Sequence, residues 1–304
     1  MSSIPPTSGL HHVTAICGSG SQNIAFYRDI LGLRLVKKTV NFDMPTSYHL
    51  YYGDETGRPG TLLTFFVWIG LPPGREGRGQ TLRTRFSTPV PLATWTSFFE
   101  SKRISSSIQH WLGREELHFA DPDGLQLALV SAAASSPPAT STERPGPISL
   151  EAVVLQVGEE GPTRSLLEAM GWTLSAQESA RIRFQSPEPG PGSFLELEMC
   201  PDAPWARSGN GVVHHIAFRA RDEEHQMQFH HLASRLGLKP SSVMDRNYFR
   251  SIYFRCPGGV LFEVATDKPG FAVDEAPEHL GESLCLPPSL EFRRRDIEQG
   301  LPAL

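Results

Sequence analysis

The sequence repeats itself at long range, and that repeat restricts the fold more than any single motif does. His11-His12-Val13-Thr14 opens the first half in an apolar setting, and His214-His215-Ile216-Ala217 stands in a matching setting in the second. Late in each half comes another matching pair, FADPDGLQLALV at 119–130 and FRCPGGVLFEVATD at 254–267. Both have an aromatic residue, a Pro-containing glycine turn and then an apolar run. Glycine permits the turn, and branched and aromatic residues suit a sheet, so each block reads as a hairpin feeding a strand. Between the halves lies SAAASSPPATSTERPGP at 131–147, small and proline-rich, which can bury little and reads as a linker.

Amphipathic helices fall between the strands. SQNIAFYRDIL at 21–31 places Ile24, Tyr27 and Ile30–Leu31 at helical spacing, and Gly32 stops it. Residues 162–170 and 222–236 read the same way, whereas the Trp and Phe of 92–101 suit either helix or strand. The recurring order of strand, helix and several strands places modules near 9–68, 83–130, 147–199 and 211–266. A β-α-β-β-β module leaves one sheet face to cover, so modules should pair. The expected fold is α+β, with four such modules in two paired-module domains that form cupped sheets. Its boundaries are an N-terminal domain at 9–130 (modules one and two), a linker at 131–146, a C-terminal domain at 147–270 (modules three and four) and an extension at 271–304. The proline-rich stretch 71–80 reads either as a lid or as a long connection.

Composition excludes several classes of function. A formal charge of -5 over 304 residues gives no overall attraction to nucleic acid or to an anionic membrane, and Arg293-Arg294-Arg295 reads as a solvated run. No stretch reaches the roughly twenty apolar residues of a membrane span, and MSSIPPTSG lacks the pattern of a secretory signal. The four cysteines are scattered, so a reducing cytoplasm is the expected location. There is no Walker A sequence, nucleophile elbow or zinc-finger spacing, and GSGSQ at 18–22 is too short for a phosphate loop.

Three residues stand out on chemical grounds. His12 and His215 lie in matching strand-like settings, and Glu263 interrupts the strand VLFEVA. A carboxylate there is costly unless it is paired, hydrogen-bonded (with Arg255 as one candidate) or bound to metal. Two imidazoles and one carboxylate leave metal positions open, a set suited to non-haem Fe(II), with Mn(II) and Zn(II) also satisfied by it. Periodicity does not choose His12 over His11, or His215 over His214.

Four blocks together, GLHHVT at 9–14, AFYRDILGLRLVKKTVNFD at 25–43, VHHIAF at 213–218 and DRNYFRSIYFRCPGGVLFEVATD at 245–267, resemble the vicinal-oxygen-chelate superfamily. They most resemble its ring-cleaving branch, which includes the para-hydroquinone dioxygenases. The resemblance implies that His12, His215 and Glu263 bind one Fe(II) per chain. It also places His11, Thr14, His214, Arg246 and Tyr253 around a substrate cavity. Strict strand alternation sends His11 and His214 to the face opposite their neighbours, so a bulge must bring them near. Aligning the repeat sets Ala128 against Glu263 and Ala152 against His12, so modules two and three should be structural.

On this reading the partners are a small aromatic substrate and dioxygen, and a homo-oligomer is compatible with the paired modules. His11 or His214 is the expected proton shuttle, Tyr253 orients substrate, and Arg246 stabilises anionic oxygen or forms a salt bridge. Phe65, Phe66 and Trp68 either shape the cavity or pack the core. A glyoxalase-like lyase shares the scaffold, but its fourth ligand is commonly acidic and LLTFFVW at 62–68 offers no carboxylate. An extradiol catechol dioxygenase and a metal-free protein that binds small aromatics are the other readings.

Overall fold

The computed structural model describes residues 6–132 and 148–304, so most of the expected linker lies outside the described residues. Module one supplies β1 (Leu10–Cys17), β2 (Arg34–Asn41), β3 (Met44–Gly53) and β4 (Leu62–Val67). Module two supplies β5 (Gln80–Thr88), β6 (Ser106–Trp111), β7 (Arg114–Ala120) and β8 (Gln126–Ser131). The third has β9 (Ser149–Val157), β10 (Thr173–Glu178), β11 (Arg181–Gln185) and β12 (Phe194–Met199). The fourth has β13 (Val212–Ala220), β14 (Met244–Asp245), β15 (Arg250–Arg255) and β16 (Leu261–Thr266).

One helical segment follows the first strand of each module. Its first turn in module one is α1 (Gly20–Ile24), which runs on as a π-helical stretch over Ala25–Ile30. The others are α2 (Leu92–Ser101), α3 (Gly161–Ala169) and α4 (Glu223–Arg235), so the aromatic-rich 92–101 stretch is a helix. The start of α4 is fixed locally: the Asp222 side chain accepts the His225 N–H at 2.8 Å, and Glu223 and Glu224 complement the helix dipole. Apolar residues of the helices, among them Tyr27, Trp95, Leu167 and Phe229, pack with Val13, Leu129, Val153 and Ile216 in one continuous core. That packing covers one face of each sheet. Among the described residues no helix is long and apolar enough to cross a membrane.

The described residues form two eight-stranded sheets, and their order corrects the expected pairing. One runs β14-β15-β16-β13-β1-β4-β3-β2 and joins modules one and four; the other runs β10-β11-β12-β9-β5-β8-β7-β6 and joins two and three. Segments 9–130 and 147–270 therefore do not each close a sheet. The reason lies in two connections that cross between the sheets, 68–79 and 200–211. They pair with each other: Gly74 N–H donates to the Asn210 carbonyl at 2.8 Å, Arg75 and Arg207 exchange backbone bonds at 2.9 and 3.0 Å, and Arg78 N–H reaches Pro204 at 3.0 Å. The 71–80 stretch is thus a connection held by backbone pairing to 204–210. The Arg293–Arg295 run is surface, as expected, with Arg294 paired to Glu291 at 2.6 Å and Glu298 at 3.0 Å.

Candidate metal centre

The central seam of the outer sheet is β1 against β13, antiparallel, and it carries a bulge at each doublet. Leu10 and His12 pair with Phe218 and Ala217, which leaves His11 as an extra residue; Thr14 and Ala15 pair with His215 and Val213, which leaves His214 extra. These are the bends that strict alternation required. Each bulge turns the first histidine toward the second. His11 Nδ1 lies 2.9 Å from His12 Nδ1, and His214 Nδ1 lies 2.8 Å from His215 Nδ1.

The Nε2 atoms of His12 and His215 then point at one spot, 3.2 Å apart. The Oε2 of Glu263 is 3.4 Å from the first and 2.9 Å from the second. All three residues are buried. Bonds of about 2.1 Å to a first-row ion would set neighbouring octahedral donors about 3.0 Å apart, close to this triangle. Glu263 Oε2 is fully enclosed yet takes part in no well-formed hydrogen bond, while its Oε1 accepts from the Ser251 hydroxyl. Such an orphaned carboxylate oxygen, facing two imidazole nitrogens, fits a site built for a cation. Arg255 is not its partner, being exposed and bonded to the Gly259 carbonyl at 2.8 Å.

Burial pushes the Glu263 carboxyl up, but His12 and His215 outweigh it and hold the carboxyl well below the usual range. Burial, and then its neighbour His12, hold His11 far below an ordinary imidazole, and His214 is pushed down to about 3 in the same way by burial and His215. Both doublet partners are thus neutral and can accept the Nδ1–H of a ligand whose Nε2 faces the cation. The Thr266 backbone, also beside His11, partly opposes that lowering by accepting a hydrogen bond from the ring. Held against His12 at Nδ1, the His11 ring orients that ligand.

Thr14 sits beside the trio, opposite His215, and its hydroxyl meets that of Thr64 at 2.7 Å. Tyr253 lies 5.8 Å from the His215 ring, and its hydroxyl accepts from Arg246 Nε at 3.2 Å. Arg246 also pairs with Asp43 at 3.0 Å, so it both positions Tyr253 and makes a salt bridge. Phe66 and Trp68 stack at 5.4 Å and meet His214 edge-on, whereas Phe65 packs against Tyr27 in the core. Sequence reasoning missed His49, Tyr51, Thr64, Phe249 and Ser251. Only Thr64 carried a signal, as the residue standing where a fourth ligand would.

The sheet registers explain why one centre is built. Ala217 pairs with both His12 and Glu263, and Thr14 pairs with both His215 and Thr64. In the inner sheet Arg85 pairs with Ala152 and Ala128, and Val154 with Arg83 and Glu196. The four corresponding positions are therefore His12, His215, Glu263 and Thr64 outside, and Ala152, Arg83, Ala128 and Glu196 inside. Space freed by the two alanines is taken by Arg85, which is fully buried and bonds Glu116 at 2.6 Å and both Glu151 and Glu196 at 2.5 Å.

The profile of the Glyoxalase/Bleomycin resistance protein/Dioxygenase superfamily matches residues 9–264. The chain belongs to this superfamily. Its membership agrees with the resemblance carried by the four sequence blocks. A Bacillus subtilis relative that carries the provisional name ring-cleaving dioxygenase MhqO is 40% identical over 304 residues, covering 97% of this chain and 96% of its own. The chlorohydroquinone/hydroquinone 1,2-dioxygenase of Sphingobium indicum is 33% identical over 298 residues, covering 93% and 92%. Among solved structures, a Bacillus subtilis protein provisionally described as a dioxygenase superposes with a TM-score of 0.91 at 39% identity, covering 98% of each chain. Maize glyoxalase I shares the superfamily fold, with a TM-score of 0.66 at 17% identity over 85% of this chain and 92% of its own.

Proposed function

We propose that this chain is an Fe(II)-dependent dioxygenase that opens a hydroquinone-like aromatic ring, with one metal per chain. The observation that carries the reading is a three-donor site with its fourth protein corner vacated. His12, His215 and Glu263 converge, while Thr64 stands where a carboxylate would close the set. The names of the MhqO and hydroquinone dioxygenase relatives support the same chemistry.

Bound there, a redox-active ion would acidify a ring hydroxyl and let dioxygen bind beside it. The donor set alone also accommodates Mn(II) or Zn(II). The protein's part is binding, orientation and exclusion of water. Phe66 and Trp68 stack beside His214, and Phe249 packs on the His11 and His12 rings at 5.0 and 5.3 Å, which keeps that side dry. Tyr253 stays protonated because burial, and then the Glu263 carboxylate, raise it far above an ordinary phenol, so it can donate to a substrate oxygen. Arg246 fixes that hydroxyl and adds positive charge where the opened ring gains its acid group.

The test is anaerobic Fe(II) reconstitution, then oxygen uptake with hydroquinones, catechols and hydroxyquinol, with product masses recorded. One dioxygen consumed per ring-opened hydroquinone, both atoms retained, is expected. Turnover confined to catechols, or no iron-dependent turnover in folded, loaded protein, would overturn the proposal.

A further inference from the structure

The corner left by Thr64 is not empty of chemistry. In module four, Tyr253 pairs with Glu263, and two residues earlier Ser251 hydrogen-bonds that carboxylate. Module one repeats the arrangement with Tyr51 paired to Thr64 and His49 two residues earlier. His49 Nε2 lies 2.9 Å from Thr64 Oγ1, so the imidazole reaches toward the corner from which the carboxylate is missing. Threonine is shorter than glutamate, and the ring takes up part of the difference.

Three observations separate His49 from a packing residue. First, it keeps some accessible surface, whereas Thr14 and Thr64 are fully buried and Tyr51 is 2% exposed. His49 can therefore be reached where they cannot. Second, its tautomer is set. The Tyr51 hydroxyl lies 2.9 Å from His49 Nδ1, and burial, then neighbouring Tyr253 and Glu263, hold that phenol well above its usual range. Tyr51 therefore keeps its proton, and among the described residues His49 Nδ1 is the one hydrogen-bond partner of that hydroxyl, so Tyr51 donates to it and the imidazole proton is left on Nε2. Third, Nε2 can leave Thr64 without cost to it, because the Thr64 hydroxyl retains its 2.7 Å bond to Thr14. The other histidines are committed: His12 and His215 to the centre, His11 and His214 to holding them.

We propose that His49 is a catalytic residue of this site, turning its Nε2–H from Thr64 to the phenolic oxygen that occupies the vacated corner. The assignment rests on the metal-dependent reading above and names the substrate feature it serves, a ring oxygen carrying negative charge. A neutral donor suits that task, and burial keeps His49 neutral. Phe66, its ring 4.4 Å from that of His49 and tilted 46° to it, packs against the imidazole and limits its movement.

The experiment measures binding of hydroquinone to the Fe(II)-loaded full chain by calorimetry without oxygen, with iron content determined for each sample. H49F should bind hydroquinone about 10- to 100-fold more weakly with iron retained, the cost of losing one hydrogen bond to a charged oxygen. H49Q, which keeps an N–H in reach, should recover to within about 3-fold of wild type. Wild-type affinity in H49F, no recovery in H49Q, or loss of iron from H49F would each overturn the assignment. Should H49F fail to fold, Y51F keeps the imidazole but frees its tautomer, and should weaken binding about 3- to 10-fold; unchanged affinity there also overturns it. Turnover separates the two readings. Wild-type protein whose hydroquinone binding depends on His49 but which forms no ring-opened product sinks the dioxygenase proposal alone, and normal turnover with H49F binding intact sinks His49 alone.

Discussion

Replacing Arg85 by methionine should destabilise the protein strongly while leaving its metal centre whole. The guanidinium is fully buried and bonds three carboxylates, Glu116, Glu151 and Glu196. Removing one partner of a buried ion pair costs about 3–5 kcal/mol, because the other charge is left uncompensated. Here each carboxylate keeps a second partner: Glu196 has Arg183 at 2.9 Å, Glu151 has Arg114 at 3.0 Å and Glu116 has His118 at 2.9 Å. The loss should therefore fall at the lower end, about 3 kcal/mol, or roughly 5 °C in Tm for a chain of 304 residues. Thermal melts followed by circular dichroism on matched, metal-loaded samples would measure it, and R85M/E196Q should recover part of the loss. The same cluster has an acid limb. Glu116 is held at about 2 against an ordinary 4.5, because Arg85, Arg181 and a hydrogen bond to His118 outweigh the burial that would raise it. A depressed carboxyl contributes stability that is whole above about pH 4.5 and is lost as pH falls towards about 2, here about 3 kcal/mol. An R85M melt within about 2 °C of wild type, or folded R85M that binds no metal, would refute the reasoning.

The remaining predictions concern the centre and the C-terminal strap. H11F and H214F should weaken metal affinity about 10- to 100-fold in chelator competition, since each removes the bond that orients a ligand imidazole. E263A and H215A should leave a folded chain that retains no stoichiometric metal and takes up no oxygen, checked by metal analysis and oxygen electrode. K37M should speed proteolysis of 271–304 and cost about 3 kcal/mol in a urea titration, because the buried Lys37 amine anchors Asp274 at 2.6 Å and Glu275 at 2.5 Å.

Much of the fold and most of the centre were legible in the sequence, for identifiable reasons. Both doublets stand in apolar strands, and Glu263 sits in a run where a lone carboxylate has no cheap alternative, so repeat and burial together marked the site. Module pairing was not legible, because the lengths of 68–79 and 200–211 allow a module to join either its neighbour or a distant one. His49 and Tyr51 stayed hidden because SYHLYYG reads as an ordinary strand of alternating residues. The Arg85 cluster stayed hidden for a related reason. TLRTRF, REELHF, RIRF and FLELE alternate polar with apolar residues, which signals a solvated face when a sheet is open. Here the polar face lines the inside of a cup, and its charges meet one another instead of water.

The join between the first and last modules also governs when the protein can become active. His12 and His215 are separated by 203 positions, and Glu263 lies farther still along the chain. A polypeptide growing from its amino end can complete the inner sheet once β12 has been made, because modules two and three follow one another directly. Module one must meanwhile wait with the seam edge of β1 unpaired, an adhesive edge exposed to other chains. Closure of that seam, with β16 added beside β13, brings the three metal donors together. The catalytic centre thus serves as a report of completed synthesis: a chain that stops before β16 can hold a finished inner sheet and still have no site.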